Sequence, residues 1–197
     1  WDVWMAKEKG KGSEFPFGLK EEPDRIAEWN KYNRPGFWPD PDMLPEGSLT
    51  PHPGWGDPRQ SRYTQDEQRF EFTLWAISRS PLIFSGNLTK LDDFTRSLMT
   101  NQEVTSLDQH SEFTRPSAAA MGDRVASPWR AWYARNGGKT YVAVFNLADD
   151  SKSLDLPWSN FQVSTTTHAA FDSWHGKQIS MAKALHVELP PHACALF

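Results

Sequence analysis

Two aspartates stand two residues apart in the stretch Phe37-Trp38-Pro39-Asp40-Pro41-Asp42-Met43-Leu44. Carboxylates at that spacing can hold sugar hydroxyls, a cation or an arginine. Pro39 and Pro41 fix φ, remove backbone donors and bias the residue before each toward extended backbone. In extended backbone, residues i and i+2 share a face, so Asp40 and Asp42 are expected to lean the same way at a stiff strand end. Two like charges that close are costly unless something binds them. Local use is the other reading: each carboxylate can accept a backbone N–H two residues on, as in an Asx turn.

The elements that position this stretch are readable on either side. Ile26, Trp29 and Tyr32 recur at helical spacing behind Pro23, a favoured first-turn residue, which predicts a helix over 24–31 closed by Arg34-Pro35-Gly36. Residues 45–62 carry Pro and Gly repeatedly and read as a long loop holding His52 and Trp55. Thr64-Gln65-Asp66-Glu67 is a capping box, and the helix behind it has a broad apolar face built on Phe70, Leu74 and Ile77 together with Phe72, Trp75 and Ala76. Ser80-Pro81 stops that helix. Leu82-Ile83-Phe84 is a continuous apolar run that predicts a buried parallel strand. Residues 88–99 and 101–107 return to the helical period.

After Asp108 the rhythm changes. Residues 131–134 and 141–147 flank Asn136-Gly137-Gly138, a hairpin signal. Residues 153–156, 161–163, 168–174, 185–189 and 193–197 read as short strands separated by turn residues. Helices alternating with apolar strands suit a parallel sheet, and the tail suits an antiparallel sandwich. The expected division is 1–112 and 113–197, with a linker at Arg115-Pro116-Ser117 and the alanines that follow.

Composition narrows the partners. The 197 residues carry a formal net charge of −4 and a pI near 5.9, with no basic stripe, so neither nucleic acid nor an anionic membrane surface is expected. No stretch has the apolar length of a membrane-spanning helix. The single cysteine, Cys194, excludes an intrachain disulfide and a Cys-based zinc site. Ten tryptophans suit sugar stacking or sandwich cores equally.

In order and spacing, three stretches together resemble glycoside hydrolase family 27, which contains α-galactosidases and α-N-acetylgalactosaminidases. They are the Phe37–Leu44 stretch, Thr64-Gln65-Asp66-Glu67-Gln68, and the run from Leu74-Trp75-Ala76 through Ser80-Pro81-Leu82 to Ser85-Gly86-Asn87-Leu88. Leu98-Met99-Thr100-Asn101-Gln102-Glu103-Val104 is similar to the family as well. The resemblance implies an α/β plus all-β fold: the last part of a (β/α)₈ barrel over 1–112, then an antiparallel β-sandwich over 113–197. Phe37–Met43 would be the seventh barrel strand and Leu82–Asn87 the eighth. It further implies a retaining glycosidase cleaving terminal α-galactosides, with α-N-acetylgalactosaminidase, β-L-arabinopyranosidase and isomalto-dextranase as alternatives within the class. A non-catalytic sugar-binding or assembly protein is the alternative outside it.

A complete barrel takes roughly 250 residues, more than precede the sandwich here. By the resemblance, neither the nucleophile nor the acid/base lies in this chain; both fall upstream of Trp1, in the same polypeptide or a separate chain. Asp40 and Asp42 are not that pair, because residues on one wall of a pocket cannot approach the sugar from opposite faces. The resemblance instead gives Asp42 and Met43 contact with substrate, with Asp40 orienting the loop and Trp38 available for stacking or packing. It calls for no cofactor or metal. It is compatible with a secreted or periplasmic setting, and no signal peptide is visible.

The remaining candidates have ordinary readings. His52 is a loop histidine, while Trp55 could stack on sugar. His168, His175, His186 and His192 lack metal-ligand spacing. Asp92-Asp93 suits a helix start. Cys194 and the tail tryptophans Trp129, Trp132, Trp158 and Trp174 are expected in the core.

Overall fold

The structure is a computed structural model and describes residues 2–5, 17–50, 57–121, 126–163, 169–179 and 183–197. His52, Trp55 and His168 lie outside the described residues.

Helix α1, Glu22–Trp29, carries Pro23 in its first turn and is flanked by 3-10 turns at Leu19–Glu21 and Asn30–Tyr32. Only Ile26 of its expected apolar face is buried. Trp29 and Tyr32 are exposed and pack on each other at 5.6 Å. Arg34 and Phe37 then bond to each other across a tight turn in which Gly36 takes φ +83°, the conformation a type II turn demands at that place.

Two short strands, β1 (Ser48–Leu49) and β2 (Arg59–Gln60), pair within the expected loop. Helix α2, Gln65–Ser78, begins at the capping box: Thr64 Oγ1 accepts from the Glu67 amide at 3.2 Å while Glu67 Oε2 accepts from the Thr64 amide at 2.8 Å. Arg79 ends it in a left-handed conformation at φ +60°. Helices α3 (Asp93–Met99) and α4 (Gln102–His110) follow, capped by Asp92 and Asn101. The periodicity at 88–99 therefore spans a break. Leu88–Lys90 is a separate 3-10 turn, and the helix waits for Asp92, whose carboxylate accepts from the Thr95 amide at 2.8 Å.

Leu82-Ile83-Phe84 is not a buried strand. Its regular pairing is one parallel bridge, Phe84 to Leu44, and Ile83 is 50% exposed. A parallel strand needs neighbours on both edges and cover on both faces, and the described residues supply one partner. No closed barrel forms among them.

The expected linker is also corrected. Phe113–Pro116 is strand β3, the edge of an antiparallel sheet ordered β10-β5-β4-β3, and Ala118–Met121 is a short helix, α5. Pro116 is tolerated there because an edge strand can lose a donor. Strands β4 (Trp129–Asn136) and β5 (Lys139–Asn146) form the predicted hairpin, with Gly137 and Gly138 both at positive φ as a two-residue I′ loop requires. Strand β6 (Lys152–Pro157) pairs with β9 (Ala184–Leu189), β7 (Ala170–Asp172) with β8 (Lys177–Ile179), and β10 (Cys194–Leu196) closes on β5. Residues 161–163, expected as a strand, instead end a 3-10 turn, Trp158–Phe161, that buries Phe161.

Alternation along β4 and β5 divides the core. Trp132, Ala134, Tyr141, Ala143 and Phe145 join α2, α4 and Leu44 on one face, while Trp129, Ala131, Tyr133, Val142 and Val144 join β6, β9 and Phe161 on the other. The central sheet is thus buried on both faces. Trp129, Trp132 and Trp158 are core residues and Trp174 packs against the first cluster, as expected of them. Cys194 is a buried free thiol donating to Thr73 Oγ1 at 3.3 Å, and burial pushes it up to about 12.

Replacing Thr64 by Ala removes one side of the capping box of α2, the helix that supplies six side chains to the first of the two clusters. Urea unfolding should show a loss of about 1 kcal/mol with an unchanged m-value.

Candidate functional site

Prolines at 39 and 41 were expected to give plain extended backbone through Asp42; the structure departs from that at one residue. Asp42 adopts φ +88°, a region uncommon for a non-glycine residue and costing of order 1–3 kcal/mol. Alternation along a strand therefore does not describe the Asp40–Asp42 pair. Three hydrogen bonds hold the kink. Asp40 Oδ1 accepts the Asp42 amide at 3.0 Å, an Asx-type contact. Asp42 Oδ1 accepts the Met43 amide at 2.7 Å. Trp75 Nε1, from α2, donates to the Asp42 carbonyl at 2.8 Å. Both carboxylates remain exposed, and Met43 is half-buried.

On either side the segment is fastened to α2 and to residues 83–85. The Arg79 guanidinium lies 4.0 Å from the centre of the Trp38 ring and donates through Nε to the Asp108 carbonyl at 3.1 Å and through Nη1 to the Ser111 carbonyl. One face of Trp38 is therefore covered by a cation. Leu44 donates to the Ile83 carbonyl at 2.8 Å and accepts from the Ser85 amide at 3.0 Å. Gly47 donates to Gln68 Oε1 at 3.1 Å and takes φ +63°, where an added Cβ would sit 2.6 Å from Thr95 Oγ1.

Behind Asp42 and Met43 lies a cavity of about 190 Å³, bounded by α1, α2 and the Asp42 segment, with Glu22, Tyr63, Glu71 and Trp75 in its wall. Burial pushes Glu22 up to about 7 despite the opposing Arg25 charge. Burial and the like charge of Glu46 push Glu71 well above the usual carboxylate range. A larger groove of about 920 Å³ lies in the β-rich part, between the β4–β5 hairpin and the β7–β8 ribbon, and shares no lining residue with it. Its ionisable groups are mostly committed to neighbours: Glu103 to Lys139 and Tyr141, Asp172 to His175, and Arg135 to Gln162.

No local motif marks Asp2. It is fully buried, and its carboxylate accepts Arg59 Nη2 at 2.7 Å and the Arg62 amide at 2.8 Å, tying the residues before α1 to strand β2. Burial acts to push Asp2 up, yet the Arg59 fork and the Arg62 amide prevail and hold it below its ordinary value. His192, which lacks metal-ligand spacing in the sequence, is held by three partners. Its ring stacks on Trp4 at 3.8 Å and bridges Glu67 at 2.8 Å to Asp149 at 2.9 Å. Neither arrangement has a local motif, since the partners are far apart in the chain. Glu71 did carry a signal: a carboxylate between Phe70 and Phe72, inside the apolar run of α2.

Comparison with known proteins defines the class as a glycosidase fold. The family described as "Alpha galactosidase A" matches residues 23–110, and the "Alpha galactosidase C-terminal beta sandwich domain" matches 127–197. The chain belongs to glycoside hydrolase family 27, of which it represents the C-terminal portion. It is 29% identical over 169 residues to α-galactosidase A of Aspergillus niger, covering 85% of this chain and 28% of that one. To the α-galactosidase of Cyamopsis tetragonoloba it is 27% identical over 173 residues, covering 84% and 37%. A family 27 β-L-arabinopyranosidase from Geobacillus stearothermophilus superposes with a TM-score of 0.83 at 30% identity, over all of this chain and 42% of that one. The chain thus spans well under half the length of these relatives. α-Galactosidase I of Mortierella vinacea, at 20% identity and a TM-score of 0.73 over 91% of this chain and 43% of that one, shares the fold.

Asp2 supplies a pH test. With its pKa lowered on folding, its contribution is present above the unfolded value of about 3.9 and lost as the pH falls through the folded value. Asp2→Asn should cost about 1.5 kcal/mol at pH 7, because it removes the charge from the hydrogen bonds to Arg59 and Arg62 while Arg59, 39% exposed, is rehydrated. In urea unfolding, that gap should close as the pH is taken below about 3.9.

Proposed function

We propose that this chain is the C-terminal portion of a retaining glycoside hydrolase, an α-galactosidase that cleaves terminal α-galactosides. Residues 1–112 are the last βα units of a (β/α)₈ barrel, and 113–197 are its antiparallel β-sandwich. The observation that carries the reading is the exposed carboxylate of Asp42, held at φ +88° by Asp40, Met43 and Trp75. Strained, over-determined residues cluster at ligand clamps. Barrel enzymes build their sites at the C-terminal ends of strands, and the parallel bridge of Leu44 to Phe84 supports reading these two segments as neighbouring barrel strands.

In this reading Asp42 accepts hydrogen bonds from sugar hydroxyls and Met43 lies against the sugar. Asp40 fixes the turn that aims Asp42. Trp38, covered on one face by Arg79, supports the rim and offers its other face. The nucleophile and acid/base come from barrel sequence outside these 197 residues, in the same polypeptide or in a separate chain. A retaining pair stands about 5 Å apart on opposite faces of the sugar. Asp40 and Asp42 are successive residues of one turn and do not form that arrangement.

Likeness to the Geobacillus arabinopyranosidase favours a second reading, β-L-arabinopyranosidase. β-L-Arabinopyranose has the ring configuration of α-D-galactopyranose without its hydroxymethyl group, so one hydroxyl-binding rim serves both.

The test uses the complete parent polypeptide with nitrophenyl α-D-galactopyranoside and nitrophenyl β-L-arabinopyranoside. A kcat/KM favouring the galactoside is expected; the reverse preference selects the second reading, and inertness toward both indicates a non-catalytic sugar-binding protein. Asp42→Asn should lower kcat/KM by about 10- to 100-fold, matching a charged hydrogen bond of about 1.5–3 kcal/mol, at an unchanged melting temperature. Azide-rescued turnover in that variant would instead make Asp42 catalytic.

A further inference from the structure

Glu71 sits between Phe70 and Phe72 on α2 and is 3% exposed, and its Oε2 has no hydrogen-bond partner among the described residues. It lines the 190 Å³ cavity behind Asp42, together with Glu22. Glu46 nearby is wholly buried, and neither of its carboxylate oxygens has a partner among the described residues. The charges of Glu46, Asp2, Glu22 and Asp42 all bear unfavourably on Glu71.

Among the described residues, the neighbouring arginines are engaged elsewhere. Arg59 and Arg62 face Asp2, Arg69 pairs with Asp66, and Arg79 serves the carbonyls at the end of α4. Glu22 has Arg25 at 3.9 Å, on the solvent side of α1. An ionised carboxylate held in this way costs several kcal/mol, whereas a paired one does not. Leu19, Met43 and Trp75 give the cavity apolar walls, which suit the aliphatic stem of a long basic side chain whose charged head reaches Glu71 and Glu22.

We propose that this cavity receives a lysine or arginine side chain from the barrel sequence outside these 197 residues, with Glu71 as its principal counter-ion, so that the carboxylates behind the rim lock the two parts of the barrel together. The inference rests on the reading that such barrel sequence completes the enzyme. Helices cover the outer face of barrel strands. The cavity is bounded by α1 and α2 as well as by the Asp42 segment, and Glu71 enters it from the helix side. The basic residue pairs with Glu71 and does not touch substrate.

The experiment is thermal unfolding of the complete parent polypeptide and its Glu71→Gln variant at about pH 8, in sodium buffer and in tetramethylammonium buffer. Removing the anion strands a buried cation, so the melting temperature should fall by on the order of 5 °C or more in both buffers. An unchanged or higher melting temperature overturns the proposal, because a neutral buried acid is replaced by glutamine without loss. A fall seen with sodium alone overturns it in favour of a free ion.

Should Glu71→Gln not fold, infrared spectra of the parent in a Glu46→Gln background decide. A carboxylate-only spectrum supports the pair, and a protonated carboxylic-acid carbonyl band at about pH 8 overturns it. Turnover of nitrophenyl α-galactoside by the parent is measured separately. Its absence defeats the enzymatic reading and leaves the melting result standing, whereas intact turnover with no melting shift defeats this inference alone.

Discussion

Everything in the structure hangs on the burial of α2 along most of its length. A surface helix presents one apolar stripe. Here Phe70, Phe72, Leu74, Trp75, Ala76 and Ile77 are all buried, and so are Gln68, Thr73 and Ser78. These three polar side chains are hydrogen-bonded, whereas Glu71 on the same helix keeps an unpartnered Oε2 among the described residues. Thr73 Oγ1 donates to the Arg69 carbonyl at 2.7 Å and accepts from Trp174 Nε1 at 3.0 Å and from the Cys194 thiol at 3.3 Å. That one hydroxyl joins the helix to two separate parts of the β-rich half. Thr114 Oγ1 adds a bond to the Ile77 carbonyl, and Arg130 reaches back to Asp24 through two bonds of 2.7 Å. The two halves of the chain share one core across the sheet face that carries Trp132 and Phe145.

The same helix sets the candidate rim. Gln68, Trp75 and Arg79 are spaced seven and four residues apart, which places them along one face or its continuation past the cap. Gln68 takes the Gly47 amide, Trp75 the Asp42 carbonyl and Arg79 the Trp38 ring. Three points along one rigid element thus fix a segment with almost no ladder pairing of its own. That is how a backbone as irregular as 38–47 keeps a defined shape. The strain at Asp42 persists because its neighbours on both sides are held by contacts that relaxing it would break.

Much of this was legible in the sequence where the signal is local. The capping box needs only Thr64 and Glu67, and the hairpin only Gly137 and Gly138 between two apolar runs. Both formed as read. The misses share a cause: short apolar runs whose fate depends on distant partners. Leu82-Ile83-Phe84 has the composition of a buried strand, but burial is conferred by neighbours on both sides. Phe161 buries its ring from a 3-10 turn as readily as from a strand. Arg115-Pro116 looked like a linker because proline is excluded from central strands, while an edge strand admits it. At the site, the residue types and their stiffness were visible. The positive φ of Asp42 was not, since it follows from Trp75 thirty-three residues away in the chain.

The distribution of mismatches argues that the first part of the chain is not energetically self-contained. Among the described residues, the large exposed hydrophobic side chains are Met5, Phe17, Trp29, Tyr32, Phe37, Ile83, Leu88 and Phe171, of which Phe171 alone lies beyond residue 90. Buried side-chain polar atoms without partners fall the same way, at Trp4, Asn30, Asn33, Glu46 and Glu71, with Trp132 alone in the later part. A native domain keeps both kinds of mismatch few, because each costs free energy against a small net stability. After residue 113 both rules are obeyed. Before it both are broken together, on elements that flank the Asp42 segment with its positive φ. Apolar surface left open and carboxylates left uncompensated fall on the same elements, so α1, the Asp42 segment and residues 82–88 carry most of the unmet packing among the described residues.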